Sequence, residues 1–129
     1  MKIIRTLLFL LVAFQGMSGQ TKPAKQTDKI NILILTERGG QHESFTAAAL
    51  NWLENEKNNL NISFTEINNT KPVDEKYLKQ YQLILQLDYP PYSWTKEAET
   101  AFTKYIDEGL GGWIGFHHAT LLGEFDGYP

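Results

Sequence analysis

Three histidines carry most of the chemistry open to this chain, which has no cysteine. His42 lies in Gly39-Gly40-Gln41-His42-Glu43-Ser44, and the other two form a pair in Trp113-Ile114-Gly115-Phe116-His117-His118-Ala119-Thr120. Imidazole titrates near neutral pH, moves protons and binds zinc, nickel or iron readily. The pair could therefore supply two metal ligands, or one ligand and one general base. Adjacent residues at a strand end point in opposite directions, so one of the two is expected to face a cleft and the other to be held by a neighbouring carbonyl. The absence of cysteine excludes disulfides, thiolate ligands and a thiol nucleophile together.

His117, His42 and Glu43 are the candidate catalytic residues. His117 directly follows a short apolar strand, where a tight turn would lift its ring toward solvent, and the small Ala119 and Thr120 leave room beside it. His42 and His117 are the candidates for holding a divalent metal. His42-Glu43-Ser44 falls at an expected helix N-terminus, where unpaired N–H groups favour an anion; Glu43 and Ser44 could equally be helix caps. Asp88 ends a strand and could hold a ligand hydroxyl or orient an imidazole, or simply begin the turn Tyr89-Pro90-Pro91-Tyr92. With Asp88, the binding candidates are Tyr92, Trp94, His118 and Thr120, the aromatic rings offering flat apolar faces to a sugar. Tyr89 and Trp113 share that chemistry, but Trp113 reads as core. Gly39-Gly40 and Gly111-Gly112 do not make a phosphate loop, since no Gly-Lys-Ser/Thr follows and the dinucleotide spacing is absent.

The elements that must position these residues alternate between strand and helix. Ile30 to Thr36 is a β-branched and Leu run, as in a strand buried on both faces. Phe45, Ala48, Ala49, Trp52 and Leu53 recur at helical spacing on one face, with Ser44 as N-cap. Leu60 to Ile67 alternates as an edge strand would. Asp74 can cap a short turn carrying Tyr77, Leu78 and Tyr81, and Leu83 to Leu87 is a third strand ending at Asp88. Ala98, Ala101, Phe102, Tyr105 and Ile106 mark a second amphipathic helix, from Ser93 or Thr95 to Glu108, closed by Gly109. Trp113 to Phe116 is the fourth strand, with Phe116 expected in the core. Such alternation implies a parallel sheet with right-handed crossovers, whose loops after the strands emerge on one edge. That edge collects Thr36 to Ser44, Asp88 to Trp94, and His117 to Thr120.

The ends of the chain read differently. Lys2 and Arg5 precede the apolar run Leu7 to Phe14, too short for the ~20 residues a membrane span needs. Residues 1–20 are therefore expected to be a secretory signal peptide cleaved near Ser18 to Gln20, with an uncleaved anchor as the alternative, and residues 21–29 a polar linker. The mature protein would then be periplasmic or secreted, with no membrane partner. Of 12 Lys+Arg and 15 Asp+Glu, the first twenty residues hold two basic and no acidic ones, so the rest carries 10 − 15 = −5. An acidic chain is a poor nucleic-acid binder.

The Gly39-x-x-His42-Glu43-Ser44 loop after Ile32-Leu33-Ile34-Leu35, the stretch Phe102 to Gly112, and above all Trp113-Ile-Gly-Phe-His-His-Ala-Thr resemble the ThuA-like, or trehalose-utilisation, family over residues 30–129. The resemblance implies a flavodoxin-like, class I glutamine amidotransferase-like α/β fold, a three-layer sandwich on a parallel sheet. In amidotransferases the elbow after the corresponding strand carries a cysteine nucleophile; here it carries His117, so glutaminase chemistry is not expected. The family implies a carbohydrate of the trehalose or disaccharide type as small-molecule partner. Family domains continue beyond four strands, so the chain is expected to hold the N-terminal portion, truncated after the fourth strand, and to self-associate through an open sheet edge. A non-catalytic, sugar-binding fragment is the alternative to an enzyme.

Overall fold

A computed structural model describes residues 28–120. The expected signal peptide over residues 1–20, residues 21–27 of the expected linker, and residues 121–129 lie outside the described residues. Among those described, no helix is long and apolar enough to cross a membrane.

Strand β1 (Ile30–Leu35) leads through a 3-10 turn (Gly40–His42) into helix α1 (Glu43–Glu56), and β2 (Ile62–Ile67) follows. Helix α2 (Glu75–Leu78), β3 (Leu83–Gln86), a turn (Pro91–Ser93), α3 (Lys96–Asp107), β4 (Gly112–Gly115) and a last turn (His117–Thr120) complete the order. The strands form one sheet in the order β2-β1-β3-β4, every pairing parallel. Leu33, Ile34 and Leu35 are fully buried, as a central strand covered on both faces requires.

The two apolar layers follow from the handedness of the crossovers. The β1–β2 connection steps one way along the sheet, and those from β2 to β3 and from β3 to β4 step the other way, so right-handed crossovers put α1 on one face and α2 and α3 on the other. Leu33, Leu35 and Ile84 accordingly pack with Leu78, Ala98, Phe102 and Tyr105. Ile32, Ile34, Ile62, Leu85 and Leu87 pack with Leu53.

Helix ends match local chemistry where a side chain can cap them. Asp74 accepts from Tyr77 N at 2.6 Å at the start of α2, and Thr95 accepts from Ala98 N at the start of α3. Gly109 closes α3 with φ of +64°, the left-handed conformation that favours glycine. Ser44 is not the cap of α1: the helix starts at Glu43, and the residue at the N-cap position is His42, whose side chain makes no capping hydrogen bond to the helix. Arg38, Gly39 and Gly40 all have positive φ, and this tight reversal feeds the 3-10 turn straight into the helix.

The expected core face of α1 is buried only in part. Leu53 is covered, whereas Phe45 and Trp52 are 42% and 57% exposed. Ile114 and Phe116 on the same side of the sheet, and Ile106 of α3, are also exposed. Helix α1 lies over β1 and β2, and no described helix covers β3 and β4 on that face. Periodicity reports which face of an element is apolar; what lies opposite it is decided elsewhere in the chain.

Candidate functional site

The parallel register brings three loops to one level. Leu35 pairs with Gln86, and Gln86 with Gly115, so the chain leaves β1, β3 and β4 at neighbouring points on the carboxyl edge. Thr36 N donates to Ile67 O, Leu87 N to Leu35 O, and Phe116 N to Gln86 O, carrying the ladder one residue further. Ligands bind in such folds at this edge.

His42 and His117 meet there, their rings edge to face with centroids 4.5 Å apart. Phe45 and Phe116 line the same cleft, their own ring centroids 6.0 Å apart. With Asp88 these four side chains line a cleft of about 280 Å3, near the lower end of small-molecule sites. His117 has φ of +49°. A non-glycine residue held left-handed immediately after a strand is the elbow geometry that lifts a side chain above a sheet. Ala119 N donates to Phe116 O, closing the turn under it, and Ala119 is fully buried.

Asp88 is fully buried, and both its oxygens are engaged. Oδ1 accepts from Glu37 N and Oδ2 from Thr46 Oγ1, each at 2.8 Å. These bonds pin both ends of the segment carrying His42 to the end of β3. Asp88 therefore acts on the cleft through the loop it holds. Thr46, fully buried in the first turns of α1, escapes a reading based on apolar spacing; its one sequence signal is a short hydroxyl side chain on the same helical face as Leu50 and Leu53.

A second polar clamp holds the outer side of this loop. Arg38 donates from Nε and Nη2 to Glu66 at 2.5 Å, Thr36 Oγ1 donates to Glu66 at 2.7 Å, and Arg38 lies 3.9 Å from Glu43. Partial burial pulls the Glu66 carboxyl upward, but its bonds to Arg38 and Thr36 outweigh that and hold it below the ordinary value. Glu43 is exposed and faces Arg38, and it does not line the cleft. Neither Arg38 nor Glu66 stands out in sequence, because the pairing joins two strand ends.

The aromatic candidates separate clearly. Trp94 is 8% exposed and packs on Phe102 at 4.9 Å, so its ring is spent on the core. Tyr89 is buried and donates its hydroxyl to Ser93 O. Trp113 is half-buried against the α3 layer and donates to the buried Gln86 at 3.1 Å, in keeping with a core role. Tyr92 is exposed but does not line the cleft. His118 and Thr120 lie in the turn His117–Thr120.

Among the described residues no group of three or more His, Cys, Asp or Glu side chains is placed to hold a metal. The two imidazoles fall short of the three protein ligands usual at a catalytic zinc. Each imidazole can donate or accept a hydrogen bond, and the phenylalanines supply an apolar wall.

A parallel, doubly wound α/β sheet with a cleft at its carboxyl edge defines the class as flavodoxin-like. Residues 31–127 match the family model ThuA, trehalose utilisation, and the chain belongs to that family. Its structure is similar to that of a ThuA-like protein from Bacteroides uniformis ATCC 8492, at 25% sequence identity and a TM-score of 0.63. The match covers 78% of this chain and 41% of that one, so this chain spans less than half the length of that relative. No curated protein matches the chain.

Proposed function

We propose that the protein binds a small carbohydrate of the trehalose or disaccharide type in the cleft between His42 and His117, in the periplasm or outside the cell. The observation that carries the reading is the juxtaposition of two imidazoles with two phenylalanine rings. A sugar presents hydroxyls that imidazole can donate to or accept from, and apolar C–H faces that pack on aromatic rings. The trehalose-utilisation family supplies the substrate class, and the Lys2–Phe14 pattern supplies the location. In this reading His117, on its elbow, exchanges a proton with a bound hydroxyl; His42 orients and polarises the same group.

A binding role without turnover is the second reading, favoured by the bonding of Asp88. Among the described residues it is the one carboxylate lining the cleft, and both its oxygens already accept from the loop that it holds. Calorimetry of the protein against trehalose, sucrose, maltose and their oxidised (keto) forms, with and without a chelator, followed by product analysis, tests both. Saturable binding with conversion supports the catalytic form, binding without conversion supports the second, and no binding to any sugar contradicts the proposal.

A further inference from the structure

Among the described residues, Gln86 is the one buried polar side chain inside a strand. Its neighbours Ile84, Leu85 and Leu87 are buried and apolar, and a leucine or methionine at 86 would fill the same space without taking an amide out of water. The amide is instead engaged at both ends. Its Nε2 donates to Tyr89 O at 2.6 Å, and its Oε1 accepts from Trp113 Nε1 at 3.1 Å. A carbonyl on one side and an indole N–H on the other fix which way round the amide lies, and in the low-dielectric interior such bonds are strong. Each of them ends on a segment that carries part of the histidine cleft. The bond to Tyr89 O closes the short loop of Leu87 and Asp88, and the Asp88 carboxylate holds Glu37 N and Thr46 Oγ1 on either side of His42. Trp113 belongs to β4, which leads to the His117 elbow, and the main-chain O of Gln86 accepts from Phe116 N at 2.9 Å, one residue before it. The indole lies over Gly115, where a Cβ would stand 2.4 Å from the ring.

We propose that Gln86 is the positioning residue of the His42–His117 pair. Its amide fixes the loop after β3, which holds His42 through Asp88, relative to the elbow after β4, which carries His117. Gln86 does not line the cleft, so it acts through these two segments. The consequence for sugar affinity rests on the proposed function; the ring-to-ring spacing of 4.5 Å can be measured without any ligand.

Nuclear Overhauser spectra of the protein without added sugar test the proposal. In the wild type the two imidazoles should give direct cross-peaks to each other. Gln86→Met keeps the length of the side chain and removes both bonds; it should stay folded by circular dichroism and lose the His42–His117 cross-peaks. Trp113→Phe removes only the indole donor and should weaken the same cross-peaks, and it carries the decision if Gln86→Met does not fold. Leu78→Ala truncates a fully buried side chain in the same apolar layer and removes none of these bonds, so it controls for lost stability alone and should keep the cross-peaks. For any sugar of the panel that the wild type binds, Kd should rise more than about tenfold in Gln86→Met, as misplacement of binding groups requires, and stay near the wild-type value in Leu78→Ala. Cross-peaks that survive in both Gln86→Met and Trp113→Phe, that are lost equally in Leu78→Ala, or that are missing from the wild type each overturn the proposal. A wild type that shows them but binds no sugar contradicts the proposed function, and the variants' cross-peaks still decide whether Gln86 sets the pair.

Discussion

Thr46 Oγ1 donates to Asp88 Oδ2 at 2.8 Å, with both residues fully buried. The bond joins the first turns of α1 to the end of β3, and the segment carrying His42 is held between this bond and the one from Glu37 N to the same carboxylate. Replacing Thr46 with Val keeps the shape and strands one buried carboxylate oxygen. We expect a loss of about 1–3 kcal/mol in urea unfolding and a change in the His42 imidazole resonances. Stability and resonances matching the wild type would show that the bond does not hold the loop.

Which elements form was legible in the sequence, because each was written locally. The β1 run, the Asp74 and Thr95 caps and the Gly109 terminator all depend on residues within a turn of one another, and the strand–helix alternation then dictates parallel pairing and the shared edge. Less could be read of what each element meets. Phe116 and Trp52 were expected in the core because they are large and apolar, and both are exposed because the opposite layer is absent from the described residues. His42 and His117 were legible as neighbours, since both follow strands of one parallel sheet. The roles of Asp88, Thr46, Arg38 and Glu66 were not, because each depends on a partner about thirty residues or more away whose identity no local pattern encodes.

Gly115 and Trp113 depend on each other. A Cβ on Gly115 would lie 2.4 Å from the Trp113 indole, the ring that donates to Gln86. Gly115→Ala must displace that indole from its bond, and an overpacking cost of about 1–3 kcal/mol follows. Thermal unfolding with tryptophan fluorescence checks it; an unchanged midpoint and emission would mean the indole has room to move.

Acid should loosen the loop clamp. Glu66 has its folded pKa held below the ordinary 4.5, so its contribution is present above the unfolded value and is lost as pH falls through the lower, folded one. Glu66→Gln should therefore reduce stability at neutral pH and flatten the fall in stability on acidification below the ordinary carboxylate range. The effect is modest because the pair is open to solvent. Parallel acid titrations of the two proteins would contradict the assignment.

His117 sits in a conformation that disfavours a side chain. His117→Gly should raise stability by up to about 1 kcal/mol, since it relieves left-handed strain. Ile84→Ala, in the fully buried middle of β3, should cost about 2–5 kcal/mol. Equal losses in the two variants would make His117 a residue of the core.

The central claim is that His42 and His117 face one ligand. Its most direct measurement is the imidazole carbon–proton NMR spectrum of the protein titrated with the sugar panel. The account predicts that the resonances of both rings move together and saturate at one concentration, and that His117→Gly abolishes the response of His42 while the protein stays folded. Saturable sugar binding that moves neither ring, or that moves His42 equally well without His117, would contradict it.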